Sequence, residues 1–435
     1  MPPDVAASDA LEDGHERNID PKEFGAKIYS EHDLDFEAIN EDAIKVLRRL
    51  NRHGFQAYLV GGCVRDLLVG QRPKDFDIAT SATPRQVKGL FRNSRLIGRR
   101  FRLVHVHFGG HIIEVSTFRK DAAKETDPDN DDPLIRSDNV FGNAAEDAQR
   151  RDFTINGLYF DIEKREVIDF VGGMLDVKRK CIEIIGDPET RLREDPVRML
   201  RAAKFSGRLD FDLAADLYDA ITEVREDLTK SAAPRLFEEL LRLLGGGGAL
   251  GAFEVLYDTQ LLEVYLPEVS AFLDADNKVE GLQHRGEQRF WNSLKSLDRV
   301  CRSGRHVDTA VKLGVVFCHL FDHILHHNGA PPEDGHPSQY DIGVMVEKIF
   351  DPIGLRMQIP KRDLYRLKQV IVALRRMLSR KARGRKPSPN QFVRKEYFPD
   401  AVKLLDIYSQ GLGDFQGECH AWRERYEKLA GKPLI

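Results

Sequence analysis

The chain has no apolar run near the ~18 residues that a membrane-crossing helix requires, which excludes an α-helical membrane protein. Its first residues have neither a basic start nor an apolar core, so no signal peptide is expected. None of its five cysteines, Cys63, Cys181, Cys301, Cys318 and Cys419, stands in a CxxC pair. That argues against a structural zinc site and for reduced thiols in a cytoplasmic protein. The pair Gly61-Gly62 is followed by no G-K-[ST] and sits in no GxGxxG, so it fits neither the P-loop nor the dinucleotide fingerprint.

What is present is length, core-forming material and segregated charge. At 435 residues, 41% of them hydrophobic, the chain is long enough for more than one domain with sizeable cores. The net charge of −4 hides a polar layout. Residues 1–44 hold 13 Asp and Glu against 3 Lys and Arg, and residues 361–395 hold 13 Lys and Arg against 1 Asp. Such asymmetry points to a polyanionic partner, or to a solvated helix face.

Three stretches carry chemistry. Tyr58-Leu59-Val60 reads as a buried strand, Gly61-Gly62 as a tight turn, and Cys63 to Val69 as a helix start whose amides face back to the turn. This would suit a phosphate-bearing ligand. Asp75 and Asp77 read as one strand, where a period of two puts both carboxylates on one face and within reach of Mg²⁺. A phosphate cradle beside an Asp pair suggests nucleotidyl transfer, although an Asp-x-Asp also fits a solvated strand edge. Further on, Arg150 and Arg151 could neutralise a triphosphate, and Asp152 and Asn156 would share a helix face. Asp195 and Arg198, three apart on a helix, could together read the polar edge of adenine or cytosine; an intrahelical ion pair is the plainer reading.

The rest of the chain fills in around these. A helix is expected from Ile39 to Leu50, a Thr83-capped helix at 84–91, and alternating strands at 103–108 and 112–118, the latter carrying Glu114. Residues 120–139 read as a mobile acidic loop and a poor calcium site, since the sixth position of its EF-hand-like run holds Asp132. From Ala233 the pattern is helical. His319, His323, His326 and His327 recur at helical spacing and read as a solvated or partly packed face; Asp322-His323 reverses the HD order. Residues 361–395 form a cationic amphipathic helix ending in RKARGRK at 380–386, suited to an RNA backbone.

GGCVRD at 61–66 with DFD at 75–77, RRDFTIN at 150–156 and EDPVR at 194–198 resemble, in order and spacing, the class II tRNA nucleotidyltransferase and bacterial poly(A) polymerase family. That family belongs to the DNA polymerase β-like nucleotidyltransferases. The resemblance covers roughly residues 35–270. It implies an α+β N-terminal head, a small mixed β-sheet with helices, followed by an all-α neck, body and tail. The expected divisions are a disordered acidic segment at 1–34, a head at 35–180, a neck at 181–270 and a body and tail at 271–435.

The resemblance also implies roles. Asp75, Asp77 and Glu114 would be catalytic, with Asp75 and Asp77 holding two Mg²⁺ ions. Gly61, Gly62, Arg65, Arg151, Asp152, Asn156, Asp195, Arg198 and Arg201 would bind the nucleotide. Arg99, Arg100, Arg102, Arg380, Lys381, Arg383, Arg385 and Lys386 would bind RNA. GRRFRLVHV at 98–106 resembles the poly(A) polymerase branch. The implied activity is template-independent addition of AMP from ATP to RNA 3′ ends; CCA addition to tRNA is the alternative within the family, and an inactive RNA-binding protein the alternative outside it.

Overall fold

A computed structural model describes residues 20–98, 102–120, 140–277, 285–327, 339–378, 388–431 and 433. The chain divides into two compact units, one through Pro188 and one from Glu189.

The first unit is built on an eight-stranded sheet. Its strands are β1 (Lys27–Tyr29), β2 (Ala57–Val60), β3 (Asp77–Thr80), β4 (Ser94–Ile97), β5 (Leu103–Phe108), β6 (His111–Thr117), β7 (Leu158–Asp161) and β8 (Glu166–Asp169). They lie in the order β1-β8-β7-β2-β3-β6-β5-β4. β3 and β6 run parallel; the other described pairs are antiparallel. Five helices accompany the sheet: α1 (Glu41–Arg52), α2 (Gly62–Leu68), α3 (Pro84–Leu90), α4 (Ala144–Gln149) and α5 (Gly173–Arg179).

Side chains that alternate along β2 and β3 feed two cores. Leu59 and Ile78 join Ala43, Val46, Leu47 and Leu50 of α1 in one cluster. Tyr58, Val60 and Ala79 join Phe118, Ala148, Tyr159 and Ile168 in the other. Both faces of β2 are therefore covered, which explains its unbroken apolar run. α1 starts at Asn40, whose side chain accepts from the Asp42 and Ala43 amides, and α3 starts at a Thr83–Gln86 capping box.

The acidic composition of residues 1–34 leads to an expectation of disorder that fails for the part described. Lys27–Tyr29 form β1, paired with Val167–Asp169 of β8, and Asp20 caps a 3-10 turn over Pro21–Phe24. Backbone pairing at a sheet edge needs little apolar surface of its own, so composition does not reveal it.

The second unit is helical apart from one two-residue strand at Asp212–Leu213. It runs α6 (Pro188–Glu194), α7 (Val197–Leu209), α8 (Ala215–Val224), α9 (Ala233–Gly245), α10 (Ala249–Asp258), α11 (Leu261–Tyr265) and α12 (Pro267–Asn277). It continues through α13 (Arg285–Arg302), α14 (Thr309–His327), α15 (Gln339–Arg356), α16 (Lys361–Leu378), α17 (Pro389–Val393), α18 (Phe398–Leu412) and α19 (Gln416–Ala430). α7 and α10 cross backbone to backbone. A Cβ on Gly207 would lie 2.2 Å from the Gly248 carbonyl oxygen and 2.3 Å from the Ala252 nitrogen. Gly246, Gly248 and Gly251 fall at GxGxxG spacing, yet they connect two helices and serve this crossing.

The histidine face of α14 is packed where it is described. His319 is buried, its Nε2 lies 2.8 Å from Ser293 Oγ, and its ring stacks on Tyr408 with centroids 5.1 Å apart. His323 meets Phe272 edge to face at 5.3 Å. The side chains of His326 and His327 lie outside the described residues.

Candidate active site

The first unit gathers its chemistry where β2, β3 and β6 meet. Gly61 has φ +71, and a Cβ there would stand 2.9 Å from Arg151 Nη1. Only glycine satisfies both conditions. The Gly61 amide donates to the Leu158 carbonyl at 3.0 Å, so the amides that open outward belong to the first turn of α2. Cys63, in that turn, donates its Sγ–H to the Val60 carbonyl, and burial pushes its thiol up to about 12. It is held as a thiol and does not act as a nucleophile.

The Asp pair differs from the reading as one strand. Asp77 opens β3, whereas Asp75 lies exposed in the loop before it. Pro73 and Phe76, both buried, anchor that loop, and Asp75 lies close enough to Asp77 to raise its carboxyl. Parallel pairing sets Asp77 directly beside Glu114 of β6. Glu114 is about half exposed, and His105, opposite it on β5, brings Nε2 to 3.2 Å from Glu114 Oε1.

Burial raises the Asp77 carboxyl to about 6, with Glu114 and Asp75 adding to the rise and Arg151 opposing it. Asp77 thus feels two neighbouring carboxylates, Glu114 and Asp75, that Arg151 does not fully offset. Their hard oxygen donors fit a divalent cation such as Mg²⁺. Among the described residues no three His, Cys, Asp or Glu side chains converge as a ready cage, so the fit rests on donor chemistry and charge.

Arg151 closes the mouth of the glycine turn. Its Nη2 donates to Asp147 Oδ2 at 3.0 Å, its Nε to the Tyr159 hydroxyl at 3.3 Å, and its Nη1 to the Asn156 carbonyl at 3.3 Å. Tyr159 in turn donates to Asp147 Oδ2 at 2.8 Å. Asp147 and Tyr159 are thus positioning residues that the motif reading missed; the i, i+4 spacing of Asp147 and Arg151 was the available signal.

Arg65 is 2% exposed, binds Asp66 Oδ1 through Nε (3.0 Å) and Nη2 (2.6 Å), and donates through Nη1 to Asn156 Oδ1. A buried guanidinium must be paired, and these partners tie α2 to the 154–156 turn, with Nη2 3.5 Å from where a Cβ on Gly62 would stand. Asp152 and Asn156 are not on an α-helix: Thr154–Asn156 is a 3-10 turn, and Asn156 Nδ2 reaches Asp152 Oδ1 at 3.1 Å. At the end of β8, Asp169 accepts the amides of Val171, Gly172, Gly173 and Met174 at 2.8–3.1 Å and so fixes the start of α5.

In the second unit, Asp195 and Arg198 do not share a helix. Asp195 lies between α6 and α7, because Pro196 cannot continue the helical hydrogen bonds. Asp195 Oδ2 accepts from Arg235 Nη2 at 2.9 Å, while Arg198 Nη1 donates to the Arg191 carbonyl and, at 3.4 Å, to Glu194 Oε2. Burial, then Arg191, lowers the Arg198 guanidinium from its ordinary value. Arg201 sits one turn on, 6.0 Å from the Phe205 ring. Of the expected RNA-binding residues, Arg102 is exposed, whereas Arg99, Arg100, Arg380, Lys381, Arg383, Arg385 and Lys386 lie outside the described residues.

Known proteins resemble both units. Residues 57–183 match the family model "Poly A polymerase head domain", and residues 210–273 match "Probable RNA and SrmB-binding site of polymerase A". Poly(A) polymerase I of Salmonella typhi is 39% identical over 386 residues, which is 87% of this chain and 80% of the relative. The CCA-adding enzyme of Lactobacillus helveticus is 40% identical over 223 residues, 51% of this chain and 54% of the relative. The crystal structure of the Bacillus stearothermophilus CCA-adding enzyme in complex with CTP superposes with a TM-score of 0.62 at 25% identity, covering 89% of this chain and 82% of that one.

Proposed function

This chain belongs to the poly(A) polymerase family, and on that premise we propose that it adds AMP from ATP to RNA 3′ ends and releases pyrophosphate, with no template. The observation that carries the chemistry is the register pair Asp77–Glu114 beside the Gly61 turn and Arg151.

Enzymes of this family use divalent metal ions. Two Mg²⁺ ions held by Asp75 and Asp77 would supply Lewis-acid activation of the attacking hydroxyl and neutralise charge on the triphosphate. Glu114 lies beside Asp77, where its carboxylate can orient the RNA 3′-hydroxyl. His105 fixes the Glu114 carboxylate. Arg151, whose side chain is 23% exposed, would neutralise the triphosphate beside the glycine turn, with Asp147 and Tyr159 setting its angle. The lack of a Cβ at Gly61 and Gly62 lets phosphate oxygens approach the first-turn amides. In-line attack of the 3′-oxygen on the α-phosphorus forms the new phosphodiester and breaks the bond to pyrophosphate. Asp195 and Arg198 are assigned the polar edge of the base: a carboxylate accepts from the exocyclic amine and a guanidinium donates to the ring nitrogen, which admits adenine and cytosine and disfavours guanine and uracil.

A nucleotide-addition assay with ATP, CTP or both, on an A-ended RNA and on tRNA lacking CCA, tests this. A long ATP-only tail on general RNA establishes adenylation. Addition confined to tRNA, needing CTP and stopping at CCA, moves the chain to the branch of its Lactobacillus relative.

A further inference from the structure

Among the described residues of the second unit, Tyr218 and Tyr365 are the large aromatic side chains that stand exposed. Tyr365, in the second turn of α16, is 65% exposed. Lys361 and Arg362, four and three residues before it, share its face of the helix and are exposed. The next residue, Arg366, binds Glu396 at 2.9 Å and Asp400 at 3.3 Å, which fastens this part of α16 to the start of α18. That brings Tyr365 into the surroundings of the half-buried Tyr397, whose phenol it helps to hold protonated after burial has done so first. Arg394, also exposed, stands three residues before Tyr397.

Lys361, Arg362 and Arg394 are in no ion pair among the described residues, Arg366 engages Glu396 and Asp400, and Asp363 is the one acidic residue of the first turn of α16. A flat, solvent-facing ring bordered by uncompensated cations is the combination that single-stranded nucleic acid requires: an aromatic face for a base and positive charge for the phosphates on either side. An apolar protein partner would leave those cations without a counter-charge.

We propose that Tyr365, with Arg362 on its face of α16 and Arg394 on the segment that Arg366 joins to it through Glu396, is a stacking platform for single-stranded RNA, outside the 210–273 stretch that matches a known RNA-binding model. It rests on the reading that the chain acts on RNA and assigns that substrate a specific handhold. One base stacks on Tyr365, and the guanidinium groups meet the adjoining phosphates.

The test is binding of a fluorescent ~15-nucleotide oligoadenylate to the full chain by anisotropy, with ATP and divalent cations withheld. Tyr365→Ala is expected to weaken binding about tenfold, with Tyr365→Phe staying within about twofold of the parent. Arg362→Ala is expected to reduce the slope of log K against log salt by about one. The exposure of Tyr365 makes an unchanged thermal melt the expected control. Unchanged affinity in Tyr365→Ala overturns the platform, as does an equal loss in Tyr365→Phe, which would assign the effect to the hydroxyl. Because no nucleotide is added in this assay, the two readings fail separately: a chain that adds AMP but binds RNA equally well without Tyr365 loses only the platform, and a chain that adds none but shows the tenfold loss keeps it.

Discussion

His105 and Glu114 face each other across β5 and β6, with Nε2 3.2 Å from Oε1, and Glu114 is at the same time the register partner of Asp77 on its other side. The imidazole is the polar group that holds the Glu114 carboxylate against free rotation. His105→Phe should lower kcat about tenfold with little change in the KM for ATP, because a misplaced group harms the transition state more than nucleotide binding. His105→Gln, which can still donate, should recover most of the loss. Steady-state AMP addition measures both; an equal loss in the two variants sinks the positioning role.

Asp77 stands where burial and two neighbouring carboxylates concentrate negative charge. Asp77→Ala should reduce AMP addition by about a thousandfold or more, and Asp75→Ala should also disable it. Folding should persist, since removing charge from this cluster relieves repulsion. A variant with full Mg²⁺-dependent incorporation and a normal melt would falsify the assignment.

Gly61→Ala combines a left-handed φ with a Cβ 2.9 Å from Arg151 Nη1. Backbone strain should cost about 1 kcal/mol or more of stability, and displacement of Arg151 should raise the KM for ATP. Gly207→Ala, by contrast, should act on stability alone. Its Cβ meets backbone at 2.2 Å, so the α7–α10 crossing must open, at a cost of about 3 kcal/mol in urea unfolding.

His319 makes stability depend on pH. Burial, with Arg289 and Arg375 adding to it, pushes its imidazole down to about 3, against about 6.5 in an unfolded chain. Between those values the unfolded chain binds a proton that the folded chain does not. Stability from this group is therefore present above about pH 6.5 and falls as pH drops through it, steepening to about 1.4 kcal/mol per unit well below that value. Urea melts from about pH 7 down to about 4.5 should show this steepening in the parent and a flatter curve in His319→Gln; parallel curves would remove His319 as the cause.

The sequence made the head legible because its signals are local. Gly61-Gly62, the Thr83 cap and the alternation at 103–108 and 112–118 are each decided within a few residues. The capped helix and the alternating strands are found where they were expected, α3 at Pro84–Leu90 and β5 and β6 at Leu103–Phe108 and His111–Thr117. What escaped depends on partners far along the chain. The hold of Asn156 on Arg65 spans 91 residues and has no local signal. Asp195 and Arg198 look like one helix face until Pro196 is weighed as a break. β1 is invisible because its partner, β8, lies 138 residues or more downstream.

The pairing of β3 with β6 is the one parallel contact described in this sheet, and α3, β4 and β5 form the excursion that joins them. Side chains alternate faces along a strand, so a slip of one residue would send Glu114 to the far side of the sheet and would not nudge it. The carboxylate pair is consequently digital: it is either in register or lost. The Gly109-Gly110 hairpin tip can lengthen or change shape without detuning the chemistry as long as β5 keeps His105 opposite Glu114, which leaves the tip open to evolutionary tinkering while the strand registers stay locked.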